Sequence, residues 1–386
     1  MSADAVLWII VSTAIIGLII LVLWMQWSNV RTIFYSIREY APSEVKHSVY
    51  LIGDAGAMSP KRDLGFIGYL SGELAKSGKD SAIVFLGDNI YPRGMPHAAD
   101  LHRKRSEMRL SLQLDMVKDY PGKVFFLGGN HDWNKGRKDG WERWLRQEEF
   151  IDKHLGASAT VPRHGCPDPI EILLSDNFTL LILNTQWWVQ RGPKPIGKKD
   201  GCLVETEIDF FDMLSSILEK NKDRQVLIAA HHPLYSNAIH GGKFSYKQHL
   251  FPLTALHRKL YVPLPLAGSL YPFYRRAFGA AEDISHPLYR KLRKKLLKIF
   301  KKYPNLIYAA GHDHNLQHLV KGKQHYIVSG SASKLAYVQK RGANYARARQ
   351  GFFCIRQLHN NDIIIEAWIY LNSVNEPHMA YQYKVN

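Results

Sequence analysis

The sequence predicts an α/β protein behind one N-terminal membrane-spanning helix. Two patterns carry that expectation: short apolar runs alternating with amphipathic stretches between residues 47 and 375, and one long uncharged run near the N-terminus. Buried strands of α/β proteins read as short β-branched or aromatic runs closed by Gly, Asp, Asn or His, and the crossovers between them show a 3.6-residue period. Composition agrees: of 386 residues 46% are hydrophobic and 22% charged, which excludes disordered, collagen-like and disulfide-scaffold classes.

No residue from Ala5 to Val30 is charged. As a helix, the apolar part of this run (5–27) spans roughly 35 Å, enough for a hydrocarbon core of about 30 Å. Trp8 near one end and Trp24 and Trp27 near the other suit the two interfaces. A signal peptide has a basic leader and a shorter apolar stretch, and here only Asp4 precedes the run, so residues 1–30 are expected to be an uncleaved anchor. The side of the membrane stays divided. Arg31, Arg38 and Lys46 follow the span and favour a cytoplasmic body, whereas a bridge between Cys166 and Cys202 would belong to an oxidising compartment outside the cytoplasm.

A linker is expected over 31–46, one domain over 47–375, and a C-terminal tail over 376–386. Strands are expected at Ser48–Ile52, Ala82–Leu86, Val124–Leu127, Phe178–Leu183, Val226–Ala230, Leu306–Ala310 and Tyr326–Val328. Helices are expected at Leu64–Lys76, Leu101–Lys118, Trp141–His154 and Glu205–Lys220, and a hairpin at Phe352–Gln357 and Ile363–Tyr370 about Asn360, Asn361 and Asp362. A Pro- and aromatic-rich insertion, Ser245–Tyr289, leads into an amphipathic helix, 288–303, with eight Lys or Arg residues between Arg290 and Lys302. That helix reads either as a packed surface helix with a solvated basic face or as one lying with the insertion against anionic lipid. The formal charge of +17 points to an anionic partner. Nucleic acid is not expected, because no aromatic-studded RNA-binding strand motif is present.

Five motifs each follow an apolar run: Gly53-Asp54-Ala55-Gly56, Gly87-Asp88-Asn89-Ile90-Tyr91, Gly129-Asn130-His131-Asp132, His231-His232-Pro233 and Gly311-His312-Asp313-His314. Ligand sites of open α/β sheets form where strand carboxyl ends converge. If the strand before His312 continues, His312 and His314 share a face and Asp313 points away. Asp54, Asp88, Asn130, His231, His312 and His314 then offer six oxygen or nitrogen donors, a set suited to Fe, Mn or Zn and able to hold two ions around a shared carboxylate.

This ordered set resembles the calcineurin-like metallophosphoesterases. Tyr91, three residues after Asp88, and Ala-His-His-Pro-Leu-Tyr-Ser (230–236) followed by Ala238-Ile239-His240-Gly241 resemble the purple acid and tartrate-resistant acid phosphatases more closely. Departures are His232 where that branch usually has Tyr, Ile239 in place of its Glu, and the longer insertion. The resemblance implies a four-layer α/β/β/α sandwich of two mixed sheets. It implies one ion on Asp54, Tyr91 and His314, a second on Asn130, His231 and His312, and Asp88 bridging them, the pair being Fe with Fe, Zn or Mn. Substrate would be held by Asn130, His131 and His240. His131 would orient phosphate or protonate the leaving oxygen with Asp132 fixing its ring, and His240 is the weaker candidate for the same acid role. The expected activity is hydrolysis of phosphate monoesters, small-molecule or lipid, by in-line attack of a water activated between the ions. The alternatives are a phosphodiesterase or pyrophosphohydrolase on nucleotides or lipid head groups, and a scaffold that keeps the fold without turnover.

Overall fold

Thirteen strands among the described residues build two mixed sheets. The structure, a computed structural model, describes residues 37–255, 257, 259–371 and 376–385, together with residues 8, 12 and 13. The expected anchor lies otherwise outside the described residues; Trp8, Ser12 and Thr13 are helical. Among the described residues no helix is long and apolar enough to cross a membrane.

The first sheet runs β13-β12-β11-β1-β2-β3, with β1 (Val45–Ile52), β2 (Ser81–Phe85) and β3 (Lys123–Phe126) parallel, and β11 (Gly351–Leu358), β12 (Ile363–Leu371) and β13 (Glu376–Val385) antiparallel. The second runs β10-β8-β9-β7-β6-β5-β4. Its parallel centre is β5 (Phe178–Ile182), β6 (Gln225–Ala229), β7 (Leu306–Ala310) and β9 (Gln324–Ser329). Antiparallel β4 (Ile170–Ser175), β8 (Leu316–Lys321) and β10 (Tyr345–Arg347) complete it. Every residue of β2, β5 and β7 is buried, as the unbroken apolar runs require when both faces of a sheet are covered.

The period-2 alternation of strand side chains distributes this burial. Ile52, Ile83 and Phe85 join Phe66, Leu70, Leu110 and Ile151 in a cluster with helices α1 (Pro60–Lys76), α2 (Arg103–Met116) and α3 (Gly140–Leu155). Leu181, Ile228 and Tyr308 join Leu214, Leu292, Leu296 and Phe300 on the second sheet, with α5 (Glu207–Lys220) and α8 (Pro287–Phe300); the short α4 (Thr185–Val189) adds Trp187 and Trp188. The alternate residues Val49, Leu51, Val84, Leu180 and Leu227 are equally buried and face the other sheet. Ser329 Oγ, donating to Leu51 O at 2.7 Å and accepting from Phe353 N at 3.0 Å, ties one sheet to the other. Each such side chain is worth roughly 1.5–3 kcal/mol on burial.

Most expected elements are present with ends shifted by a few residues, two expectations are corrected, and one of the two readings of the basic helix is met. Residues 376–385 are not a tail: Tyr381, fully buried, and Ala367 pair across β12 and β13. The expected linker is shortened, since β1 begins at Val45 and Arg38 N donates to Gln382 Oε1 at 2.9 Å. The basic helix α8 packs as a surface helix. It buries Tyr289, Leu292, Leu296 and Phe300, and Lys291 and Lys295 pair with Glu207. Strands β4, β8 and β10 were not expected, being short, mixed or flanked by loops without an apolar run. Cys166 and Cys202 are joined in a disulfide, and Cys354 is a free, buried thiol.

Three buried histidines tie the sheets to pH. His318 Nδ1 lies 2.7 Å from Tyr381 Oη, and its Nε2 lies 3.0 Å from His325 Nδ1. Burial, then His325, lowers His318 to about 3, burial lowers His325 to about 4, and burial lowers His47 to about 4. Below the ordinary value of 6.5 the unfolded chain therefore binds more protons than the native one. Their contribution is fully present above pH 6.5 and is lost as pH falls from there towards 4. Thermal unfolding should show a loss on the order of 1–2 kcal/mol per histidine at pH 5 relative to pH 7. His325→Gln should remove about one proton from that slope; an unchanged midpoint across the window would contradict this assignment.

Candidate metal centre

The five motifs sit at the carboxyl ends of β1, β2, β3, β6 and β7. Parallel pairing aligns these ends within each sheet, and bonds such as Asp54 N to Gly87 O (3.1 Å) and Gly311 N to His231 O (3.1 Å) hold the loops together. Three of the delivered residues adopt the left-handed backbone region: Asp54 (φ 60°), Asp88 (φ 55°) and His312 (φ 71°). Such conformations cost on the order of 1–3 kcal/mol each and persist where the surroundings enforce them. Neighbouring glycines make the close approach possible: a Cβ at Gly129 would overlap the Asp88 amide and carboxylate, and one at Gly311 would lie 2.7 Å from Asp54 Oδ2.

Tautomers follow from the carbonyls behind the rings. His231 Nδ1 is 2.8 Å from Leu86 O, and His312 Nε2 is 2.7 Å from Glu282 O. A carbonyl only accepts, so each of these nitrogens carries its ring's proton and leaves the other nitrogen bare. The bare His231 Nε2 and His312 Nδ1 stand 3.2 Å apart, and each also faces Asn130 Oδ1, at 2.9 and 3.0 Å. Asn130 is oriented by its own Nδ2, which donates to Glu282 Oε1 at 2.9 Å, so its oxygen points at the rings. Burial, then His240, His232 and His231, keeps His312 well below the ordinary histidine value and therefore uncharged. Three lone pairs converge with no proton between them. Two ligands about 2.1 Å from one ion at right angles lie about 3 Å apart, so a cation fits this triad.

The second triad is Asp54, Tyr91 and His314. Tyr91 Oη donates to Asp54 Oδ1 at 2.7 Å and lies 3.0 Å from His314 Nε2, which is 3.6 Å from Asp54 Oδ1. Burial and the Asp88 charge push Asp54 well above the usual carboxylate range, and burial with Asp54 and Asp88 raises Tyr91. Two buried carboxylates of like charge call for a cation. Asp88 stands between the halves, its Oδ1 3.5 Å from His231 Nε2 and its Oδ2 3.8 Å from His131 Nε2. Burial pushes Asp88 up, and the His131 backbone N–H, donating to its Oδ1 at 2.8 Å, is among the groups that hold it below the usual range. The seven expected donors are thus gathered into two sets of three with Asp88 beside both.

Their route differs from the expected one. The strand ends at Ala310, so His312 and His314 do not share a strand face; the left-handed turn at His312 sends them to different triads. Asp132 does not fix the His131 ring, whose Nδ1 pairs with Pro92 O at 2.6 Å. Its carboxylate instead accepts from the backbone N–H groups of Gly129 (2.8 Å), Ile90 (3.0 Å) and Asn89 (3.2 Å). That bonding stitches two motif loops together. Burial and then Asp88 push Asp132 up to about 8. Burial lowers His131, whereas for His240 Asp313 and Asp283 outweigh burial and raise it. His240, its ring 4.2 Å from that of His312, therefore holds a proton to higher pH than a free imidazole does.

Several residues at the site were not singled out from the sequence. Glu282 and Asp283 come from the insertion. Asp283 Oδ1 is 2.9 Å from His240 Nδ1 and pairs with Arg275, while Lys135 Nζ is 3.1 Å from Glu282 Oε1. A usable signal existed: these are the only acidic residues between Asp223 and Asp313. Lys334, after β9, holds its Nζ 3.8 Å from the Tyr91 ring centre and faces Asp88 and Asp54. His232 also lies near His231 and His312, close enough for the three to hold an ion. Its Nδ1 meets Thr185 Oγ1 at 2.9 Å and its buried Nε2 meets no hydrogen-bond partner, while Asn130 Oδ1 stands 2.9 and 3.0 Å from the bare nitrogens of the other two rings. Elemental analysis of the isolated chain should find about two metal equivalents, and Gly129→Ala, which displaces Asp88, should lower that by at least one. Full metal content in Gly129→Ala would count against Asp88 as the shared ligand.

A family profile described as calcineurin-like phosphoesterase matches residues 48–316. Tartrate-resistant acid phosphatase type 5 of Sus scrofa is 25% identical over 178 residues, 46% of this chain and 49% of that protein, so the match spans about half the length of the curated relative. Among solved structures, GAP50, described as the anchor in the inner membrane complex of Plasmodium, superposes with a TM-score of 0.51 at 15% identity, covering 89% of each chain. Purple acid phosphatase PPD1 from yellow lupin (Lupinus luteus) seeds gives 0.52 at 12% identity, over 89% of this chain and 54% of that one. At these identities the structural likeness speaks for the fold.

Proposed function

Because the chain belongs to the calcineurin-like phosphoesterase family, we propose that it is a dimetal phosphohydrolase, foremost a phosphomonoesterase of the purple acid phosphatase kind. We further propose that it is held to a membrane by residues 1–30. The convergence of bare His231 Nε2, bare His312 Nδ1 and Asn130 Oδ1 within 3.2 Å of one another carries the reading. The ions, when bound, supply Lewis acidity toward phosphate oxygens and lower the pKa of a water near neutral or acidic pH. The protein's own groups supply the rest. His240, whose proton Asp313 and Asp283 hold more tightly than in a free imidazole, is suited to protonate a leaving oxygen. His131, uncharged and fixed through Pro92 O, is suited to orient the phosphate. Lys334 adds a cation beside Asp54 and Asp88 to attract an anionic ester.

A scaffold without turnover has no need to keep all seven donors converged, and this chain keeps them. The Cys166–Cys202 disulfide favours a catalytic domain outside the cytoplasm, where such bridges persist. Of the three cysteines, protein isolated without reductant should then titrate as one thiol, reacting only after unfolding; three reactive thiols would contradict the bridge and the compartment with it.

The decisive experiment pairs activity with metal content. The chain should hydrolyse p-nitrophenyl phosphate in preference to bis-p-nitrophenyl phosphate, and Asp88→Asn should lower kcat/KM by about 100-fold or more together with bound metal. Should the wild type carry metal without hydrolysing either ester, the hydrolase reading falls. If ferric iron sits beside Tyr91, the protein is coloured and Tyr91→Phe bleaches it; colour that survives removes Tyr91 from the iron's ligands.

A further inference from the structure

Helix α7 (Leu270–Ala277), in the insertion, is built inside out. Leu270, Phe273 and Tyr274, with Phe278 just beyond its end, follow the i, i+3, i+4, i+8 spacing of one helix face, and they are 69, 66, 55 and 62% exposed. Its charged Arg275 points the other way. That guanidinium is 11% exposed and holds Asp283, which in turn holds His240 at the candidate metal centre. An amphipathic helix on the surface of a globular domain ordinarily turns its apolar stripe inward. Here packing against the protein is done by Arg275 and the buried Pro272, and the apolar stripe is left outward.

Nearby parts of the insertion expose further large apolar side chains. Leu266 is 92% exposed and Tyr261 52%, and Lys247 Nζ sits 2.9 Å from Tyr261 Oη. α6 (Tyr246–Leu250), which carries Lys247, packs against α7. Patches of this kind mark an interaction surface. Its composition indicates the partner. Leu and Phe to enter an apolar phase, Tyr rings with a polar tip, and exposed Lys247 and Arg276 at the margin form the set that settles at a lipid–water boundary. A second copy of the chain would set those cations against one another. Nine residues, 28–36, separate the apolar run ending at Trp27 from Ile37, where the larger compact unit starts, a span of ten Cα-to-Cα steps. Fully extended they reach only about 35 Å, so an anchored body stays at the bilayer.

We propose that the outward face of α7, with Leu266 and Tyr261, docks onto an anionic lipid bilayer, while the inward face holds Asp283 and His240 at the metal centre. The docking rests on the anchored reading of residues 1–30 and does not depend on turnover.

The full chain tests it. Phe273→Cys, labelled with bimane, is reconstituted into phosphatidylcholine–phosphatidylserine vesicles carrying doxyl-labelled lipid, with Leu101→Cys, a 96% exposed position outside the insertion, as the reference. Cys354 is buried and the other two cysteines are bridged, so the native chain serves as the blank. Quenching at 273 is expected to exceed that at 101 by at least twofold, and the 273 probe should lose most of it when Phe278→Asp is added. Phe278→Cys replaces the first variant if that does not fold. Equal quenching at 273 and 101 overturns the docking, as does protection of 273 that rises with protein density, which would mark a second copy. Flotation of the same vesicles reads the anchor separately: a chain that floats with 273 unquenched loses only the docking, and one that does not float loses both. Neither readout involves hydrolysis, so an inactive chain that is quenched sinks the hydrolase reading alone.

Discussion

Two imidazole nitrogens and one amide oxygen, all with lone pairs exposed to one another at about 3 Å, set the terms for the rest of this molecule. Left alone, such a cluster of facing lone pairs is repulsive in a low-dielectric interior. The carbonyls of Leu86 and Glu282 fix the tautomers that create the conflict, so it comes from the backbone's own course and not from a choice of rotamer. A cation resolves it. The same holds for Asp54 and Asp88, buried carboxylates whose charges oppose each other across the second half of the site.

The scaffold is arranged to keep that conflict in place. Left-handed backbone at Asp54, Asp88 and His312 is unfavourable locally and is enforced by parallel strands packed on both faces. Asp132, buried and bonded to three backbone N–H groups, locks the loops after β2 and β3 to each other. The insertion closes the other side through Glu282 on Asn130 and Asp283 on His240. Rigidity around the donors holds this unfavourable arrangement in place.

The strand–motif alternation was legible because period and punctuation are local properties: an apolar run followed by Gly-Asp or Gly-Asn-His reads the same wherever it stands. The convergence of Asp54, Asp88, Asn130, His231, His312 and His314 was legible for that reason, whereas Tyr91 entered through the resemblance. What was not legible depends on tertiary placement. The left-handed turn at His312 cannot be seen in a Gly-His-Asp-His spacing, which reads equally well as continuing strand. Asp132 was assigned to its sequence neighbour His131, whereas burial turned it toward amides 43 and 42 positions earlier in the chain. Glu282 and Asp283 reach the site across the insertion, and residues 376–385 became a strand only because β12 offers an edge that their mixed pattern does not announce.

That edge pairing has a bearing on biosynthesis. β1 (Val45–Ile52) forms its antiparallel partnership with β11 (Gly351–Leu358), about 300 residues downstream, and pairing so distant makes assembly slow. During translation the ribosome releases β1, β2 and β3 long before β11 to β13 emerge, and a three-stranded parallel fragment with an apolar flank waits in the open. Nascent chains of this protein therefore spend most of their synthesis in need of a chaperone's shelter.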